Sequence, residues 1–352
     1  MSDHSKRAGA DGRRVYRAGN GVRRRSFIAQ LTGLAAAWPL AARAQQPAIP
    51  VIGFFHGNKP GGDAGAVEGI KAGLKEAGFV EGKDYTFEYR WAEKHFDRIP
   101  ALAADLVSRK PAVIIVGGGS ATAVATKAAT STIPMVLAFG SDPVELHLAS
   151  SLDHPGGNVT GVIFRGQHAG ERVKLLSEVA PQARTIAYLR TGPKFSNAVT
   201  EEQTAIVAAA AKALGRQLLV LKTDSLGDID AAFATLVAQK AGALDVAAHP
   251  FFDDDETIGH IAKLSLQQKI PGIFIQRAFP AAGGLMSYGE SYAEGFRRAG
   301  TYVARILKGE KPGDIAFDQS TKVELIINGK TAKTLGLAIP QTFMSRASEL
   351  ID

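Results

Sequence analysis

Val51-Ile52-Gly53-Phe54-Phe55 is an unbroken apolar run, and the Ala- and Gly-rich stretch Ala64 to Ala77 that follows is closed by Gly78. A short apolar strand leading into a helix opens a βαβ unit, the building block of a parallel sheet. The alternation continues. Tyr85 to Tyr89 reads as a strand, Arg98 to Arg109 as a helix and Ala112 to Val116 as a strand. Ser120 to Thr130 follows as a helix and Pro134 to Phe139 as a fourth strand. A second series has strands at Thr185 to Leu189, Gln217 to Leu221, Ala243 to Ala247 and Gly272 to Ile275. Helices at Ala198 to Leu214, Ile229 to Gln239 and Glu256 to Gln268 separate them.

The two series echo each other. Pro50 to Phe54 matches Arg184 to Tyr188, Lys110 to Ile114 matches Lys240 to Leu244, and Thr132-Ile133-Pro134 matches Lys269-Ile270-Pro271. The offsets are nearly constant at 134, 130 and 137 residues, whereas a solenoid would repeat every ~20–50 residues. The pattern predicts an α/β chain of two similar lobes with parallel sheets. A strand at Leu285 to Tyr288, a helix at Tyr292 to Leu307 and a strand at Lys322 to Ile327 are surplus to one lobe. They are expected to cross back, with connections near residues 159–165, 276–282 and 315–321. Lobe 1 would then comprise residues 49–160 plus about 280–318, and lobe 2 residues 161–279 plus about 319–350.

Ahead of this lies a leader. Arg23-Arg24-Arg25 precedes the apolar stretch Phe27 to Leu40, and Ala42-Arg43-Ala44 is a small-residue cleavage pattern before Gln45. These are the three regions of a secretory signal peptide, too short to span a bilayer. The apolar run has no polar face, which argues against an amphipathic helix. Arg24-Arg25-x-Phe27-Ile28 resembles the twin-arginine signal that exports folded proteins. The expectation is a periplasmic protein, cleaved after Ala44 and soluble.

Nine of the 41 Lys/Arg and two of the 34 Asp/Glu fall in residues 1–44, so residues 45–352 hold 32 of each and no net charge. Binding to nucleic acid needs a cationic surplus, and none is expected. With no cysteine, disulfides, thiol nucleophiles and thiolate metal sites are excluded.

Gly117-Gly118-Gly119-Ser120 lies between a strand and a helix, where backbone N–H groups favour an anion; a tight turn with an N-cap would read the same way. Ser141-Asp142-Pro143 follows the fourth strand, at the edge where parallel sheets build ligand crevices, though Asp142 also suits a helix cap. Phe54, Phe55 and His56 end one strand, and Phe251 and Phe252 follow another. One residue of each aromatic pair is expected to face the cleft. Arg190 and Arg277 end two second-half strands, where they could clamp a carboxylate or form surface ion pairs. Asp253-Asp254-Asp255-Glu256 lacks the calcium-loop spacing and reads as a solvated helix start. The eight histidines show no metal-ligand spacing, and no G-x-S-x-G elbow occurs. No catalytic residue, metal or cofactor is expected.

Further motifs carry a specific likeness. They include Gly73-Leu74-Lys75-Glu76-Ala77-Gly78, Tyr89-Arg90-Trp91-Ala92, Ser141-Asp142-Pro143-Val144 and Pro155-Gly156-Gly157-Asn158-Val159-Thr160-Gly161. Gly283-Gly284-Leu285-Met286-Ser287-Tyr288-Gly289 and Ile306-Leu307-Lys308-Gly309-Glu310 complete the set. Over residues 49 to 350 the chain resembles the ABC-importer substrate-binding family that includes tryptophan/tyrosine-type binding proteins. The resemblance implies a type I periplasmic-binding architecture, two Rossmann-like lobes with three hinge crossovers. It also implies a monomeric, non-enzymatic receptor that delivers a small solute to ABC permease subunits in the membrane. Ligand contacts carried over by position are Phe55, Asn58, Gly119, Ser120, Ser141, Asp142, Arg190, Phe251 and Arg277. Arginines at 190 and 277 depart from the aromatic-amino-acid binders, which argues against an amino-acid ligand and tilts the expectation toward a carboxylate-bearing, aromatic solute. A secreted enzyme or a sensory receptor on the same two-lobed fold stays open.

Overall fold

Opposite faces of the opening strand enter different cores. Ile52 and Phe54 pack into one buried cluster, whereas Phe55 packs into another on the far side of its sheet. A strand buried on both faces belongs inside a parallel sheet covered by helices on each side. The computed structural model describes residues 49–60, 65–164, 168–196, 198–320 and 322–352. The leader residues Arg24, Arg25, Phe27, Ala42 and Ala44 lie outside them.

The first run is β1 (Val51–His56), α1 (Ala66–Glu76), β2 (Thr86–Trp91), α2 (Ile99–Ser108), β3 (Val113–Val116), α3 (Ser120–Ala129), β4 (Met135–Phe139) and β5 (Val159–Ile163). The second begins α4 (Ala169–Val179), β6 (Thr185–Thr191), α5 (Ala198–Ala213), β7 (Gln217–Thr223) and α6 (Leu226–Ala238). It continues β8 (Ala243–Val246), α7 (Asp255–Gln267), β9 (Gly272–Phe274), α8 (Ala278–Ala281) and β10 (Met286–Glu290). A C-terminal stretch adds α9 (Tyr292–Leu307), β11 (Asp318–Gln319), β12 (Val323–Asn328), α10 (Gly329–Thr334), α11 (Gln341–Met344) and β13 (Glu349–Ile351).

Among the described residues these strands form two sheets, ordered β2-β1-β3-β4-β5-β11 and β7-β6-β8-β9-β10-β12-β13. The leading five strands of each follow the same doubly wound order. The repeat extends to the backbone: Lys110 and Lys240, which follow α2 and α6, both take the left-handed conformation at φ 52° and 54°. One feature departs from an all-parallel expectation. β10 runs antiparallel to β12, because the chain arrives at β12 from the other lobe.

One of the three crossings, expected near residues 276–282, falls elsewhere. β10 pairs with β9 and β12 in the second sheet, so residues 280–290 belong to lobe 2, not lobe 1. The return passage lies between Glu290 and Tyr292, and the others lie after β5 and between β11 and β12. Helix α9 belongs to lobe 1 because glycines let it press against α1. A Cβ at Gly73 would lie 1.9 Å from the Arg297 carbonyl oxygen, and one at Gly300 2.3 Å from that of Ile70. Any larger side chain would push the two helices apart.

Candidate functional site

In a sheet of this order ligands bind beyond the carboxyl ends of the strands, where the connections diverge to opposite faces. Both lobes turn that edge toward one cavity of about 300 Å³. His56 reaches it from the end of β1, Gly118 to Ala121 from β3, Ser141 from β4, Thr191 from β6, and His249 and Pro250 from beyond β8.

The first-lobe wall is shaped by glycine. Gly118 has φ 75°, and a Cβ there would sit 2.2 Å from the Gly57 backbone nitrogen. The loop therefore lies flat on the end of β1. Gly119 is the N-cap of α3 and offers no side-chain oxygen to its first turn, which leaves the helix start facing the cavity. Thr122 Oγ1 bonds the carbonyls of Gly117 and Gly119 at 2.7 Å each and fixes the loop.

The opposite wall carries Asp253, 7% exposed, beside His249 and Pro250. The His249 ring accepts from the Phe251 amide at 3.0 Å, and burial pushes its pKa down to about 4 against smaller raising effects of Asp224 and a backbone bond with Phe195. The ring is therefore neutral at neutral pH. Tyr188 also faces the cavity; burial first, and then the Asp245 carboxylate, raises its phenol well above the ordinary value. Asp245 pairs in register with Tyr188 and is held at 2.8 Å by Arg172, both fully buried. Aromatic rings close the sides. Phe96 of lobe 1 meets Phe195 of lobe 2 at 5.2 Å between centroids, and Tyr292 and Phe296 stand at the start of α9. Among the described lining residues there is no lysine or arginine.

Of the nine contacts expected from sequence, Gly119, Ser120 and Ser141 line this cavity and six do not. Phe55 is core, because the strand alternation that turns His56 to the cavity turns Phe55 under the sheet. Asn58 is fully buried and outside the lining, its backbone N–H donating to His56 Nδ1 at 3.1 Å. Asp142 caps the following turn through Val144 N at 2.7 Å. Arg190 is drawn off by Glu201 at 2.8 Å and Ser196 at 2.9 Å. Phe251 packs in the second-lobe core behind Phe195, 5.7 Å between rings. Arg277 makes a two-pronged pair with Glu349, at 2.9 and 2.5 Å, and lines a separate cavity of about 600 Å³. The guanidinium clamp expected for a carboxylate is absent from the lining.

Phe96, Tyr188, Phe195, His249, Asp253 and Tyr292 escaped the sequence reading. Phe195 had a signal: a lone aromatic in the polar loop Gly192-Pro193-Lys194-Phe195-Ser196. Asp253 was read as solvated, yet it and Asp254 are buried.

The sequence pattern of the family described as ABC transporter substrate binding protein matches residues 58–351. The chain belongs to this family. Its members are solute-binding proteins, and the two-lobed α/β architecture is their periplasmic-binding fold. A tyrosine-binding protein of Clostridioides difficile (strain R20291) is 25% identical over 275 residues, covering 77% of this chain and 76% of the relative. A conserved domain protein of Vibrio cholerae O1 biovar eltor superposes with a TM-score of 0.75 at 26% identity, over 86% of this chain and 99% of that one. An ABC domain from Streptococcus pneumonia in complex with L-Trp gives the same TM-score and coverage at 24% identity.

Proposed function

We propose that this family member is the periplasmic receptor of an ABC importer and that its solute is an aromatic α-amino acid. One observation carries the reading: a single cavity offers an uncapped helix start, a buried carboxylate and a set of aromatic rings. The amides at Gly119 and Ser120, with the Ser141 hydroxyl, suit an α-carboxylate. Asp253 suits the ammonium. Phe96 and Phe195, in contact with each other at 5.2 Å between centroids, suit a flat side chain packed against the pair. A volume of about 300 Å³ is at the small end of ligand pockets. The tyrosine-binding relative and the L-Trp-bound neighbour support the same class. Closing by hinge motion would bury the solute, and the closed monomer would dock on permease subunits.

Calorimetric titration tests the reading. At least one of L-tryptophan, L-tyrosine and L-phenylalanine should bind. Losing one partner of a buried charge-assisted contact costs about 2–5 kcal/mol, about thirty- to several-thousand-fold in affinity. Tryptamine, without the carboxylate, and indole-3-propionate, without the ammonium, should each lose about thirtyfold or more. Asp253→Asn should weaken the amino acid but leave indole-3-propionate unchanged. Equal binding of amino acid and truncated analogues would sink the assignment.

A further inference from the structure

Lys94 reaches across the cleft from lobe 1 and spends its whole hydrogen-bonding capacity on lobe 2. Its ammonium has three N–H donors. It meets three acceptors: the Phe251 carbonyl at 3.0 Å, Thr257 Oγ1 at 2.8 Å and the Asp254 carboxylate. It also lies over the Phe251 ring, 5.0 Å from the centroid. Both partners are withdrawn from water, with the Lys94 side chain 18% and the Asp254 side chain 3% exposed. The neighbouring cross-lobe pair, Lys59 with Glu256 at 2.8 Å, is half exposed at each end and contributes little.

The backbone beneath Lys94 is set for this reach. Glu93 and Lys94 both adopt left-handed conformations, φ 53° and 64°, which two successive non-glycine residues take only when their surroundings impose it. The imposition is visible. Glu93 N donates to the Asn58 carbonyl at 3.3 Å and Lys94 N to the Gly57 carbonyl at 3.0 Å, so the loop is stitched to the chain leaving β1.

What Lys94 grips is the second-lobe wall of the cavity. Asp254 caps α7 by accepting from Thr257 N at 3.2 Å, and Asp253, Pro250 and His249 precede it. Burial alone would raise the Asp254 carboxyl, but the bonds from Lys94 and Thr257 outweigh it and hold the group below its ordinary range.

We propose that Lys94 is a lobe-spanning clasp, a positioning residue that holds segment 249–257 against lobe 1 and so sets both the closed population and the affinity of the cavity. Hinge opening must part the ammonium from all three acceptors at once and leave a buried carboxylate without its cation. The affinity half rests on the amino-acid reading above; the conformational half does not.

The absence of cysteine makes a clean test available. Lys83→Cys in lobe 1 and Gln239→Cys in lobe 2, both exposed, take spin labels for interlobe distance measurement. Lys94→Met should shift the distance distribution toward longer, broader separations, and Lys94→Arg should restore part of it. Where Lys94→Met fails to fold, Asp254→Asn removes the opposite charge of the same pair while keeping a competent N-cap, and the same shift is expected. With L-tryptophan as probe, Lys94→Met should raise Kd at least tenfold, mainly through faster dissociation. Unchanged distances in Lys94→Met or Asp254→Asn overturn the clasp whether or not L-tryptophan binds. A failure of L-tryptophan to bind the parent, with the distance shift present, counts against the amino-acid reading alone.

Discussion

His249 carries a consequence for acid stability. Its folded pKa of about 4 lies below the ordinary 6.5, so between those values the unfolded chain takes up a proton that the folded one refuses. Stability is therefore level above pH 6.5, falls as pH drops toward 4, and the gap corresponds to about 3 kcal/mol. Urea unfolding at pH 7.5, 5.5 and 4.5 should show this decline in the parent and a shallower one in His249→Gln. Equal slopes would place the ring in solvent. Individual residues were the least legible part of the sequence. Gly119 and Ser120 could be located because a glycine run between strand and helix has one geometry. Arg190 and Arg277 could not, since a long cation at a strand end goes wherever its counter-charge lies. Glu201 stands eleven residues from Arg190 on the next helix, but Glu349 lies 72 residues from Arg277.

Helices α1 and α9 depend on glycine where they touch. With the Arg297 carbonyl 1.9 Å from a Cβ built at Gly73, Gly73→Ala forces a backbone displacement, and overpacking of this kind costs about 1–3 kcal/mol. Thermal unfolding should register a fall of several degrees, while solute affinity changes little because neither glycine borders the cavity. A melting curve like the parent's would mean the helices separate freely. Elements were well read from sequence, since buried parallel strands are short apolar runs and their helices are amphipathic. β5 and α4 were passed over. Val159–Ile163, expected to lie in a connection between the lobes, is a strand that pairs with β4 and β11. Assigning β10 to a sheet required knowing its neighbours. Its partner β9 precedes it in the chain, but the passage through α9 and β11 of lobe 1 separates it from β12 and hides that pairing.

Export belongs to the chain entire. If Arg24-Arg25 addresses the twin-arginine route, as we propose, the double substitution Arg24→Lys, Arg25→Lys should leave the protein in the cytoplasm. Cell fractionation with N-terminal sequencing of the exported form, expected to begin at Gln45, checks it. Undiminished arrival in the periplasm would assign the general secretory route. The number of lobes was legible because the chain carries the same scheme twice, and an internal echo survives where single contacts do not.

The interleaving of the lobes has a bearing on synthesis. Lobe 1 opens at β1 but is finished by α9 and β11, residues 292–319. Lobe 2 is finished by β12 and β13, the last at 349–351. Neither can complete its core while a ribosome still holds the C-terminal third. Until then the glycine face of α1 has no partner and the edge of β5 is bare, an invitation to mispairing. A nascent chain of this design needs shelter until its final residues emerge, and no single cut divides the chain into two whole lobes.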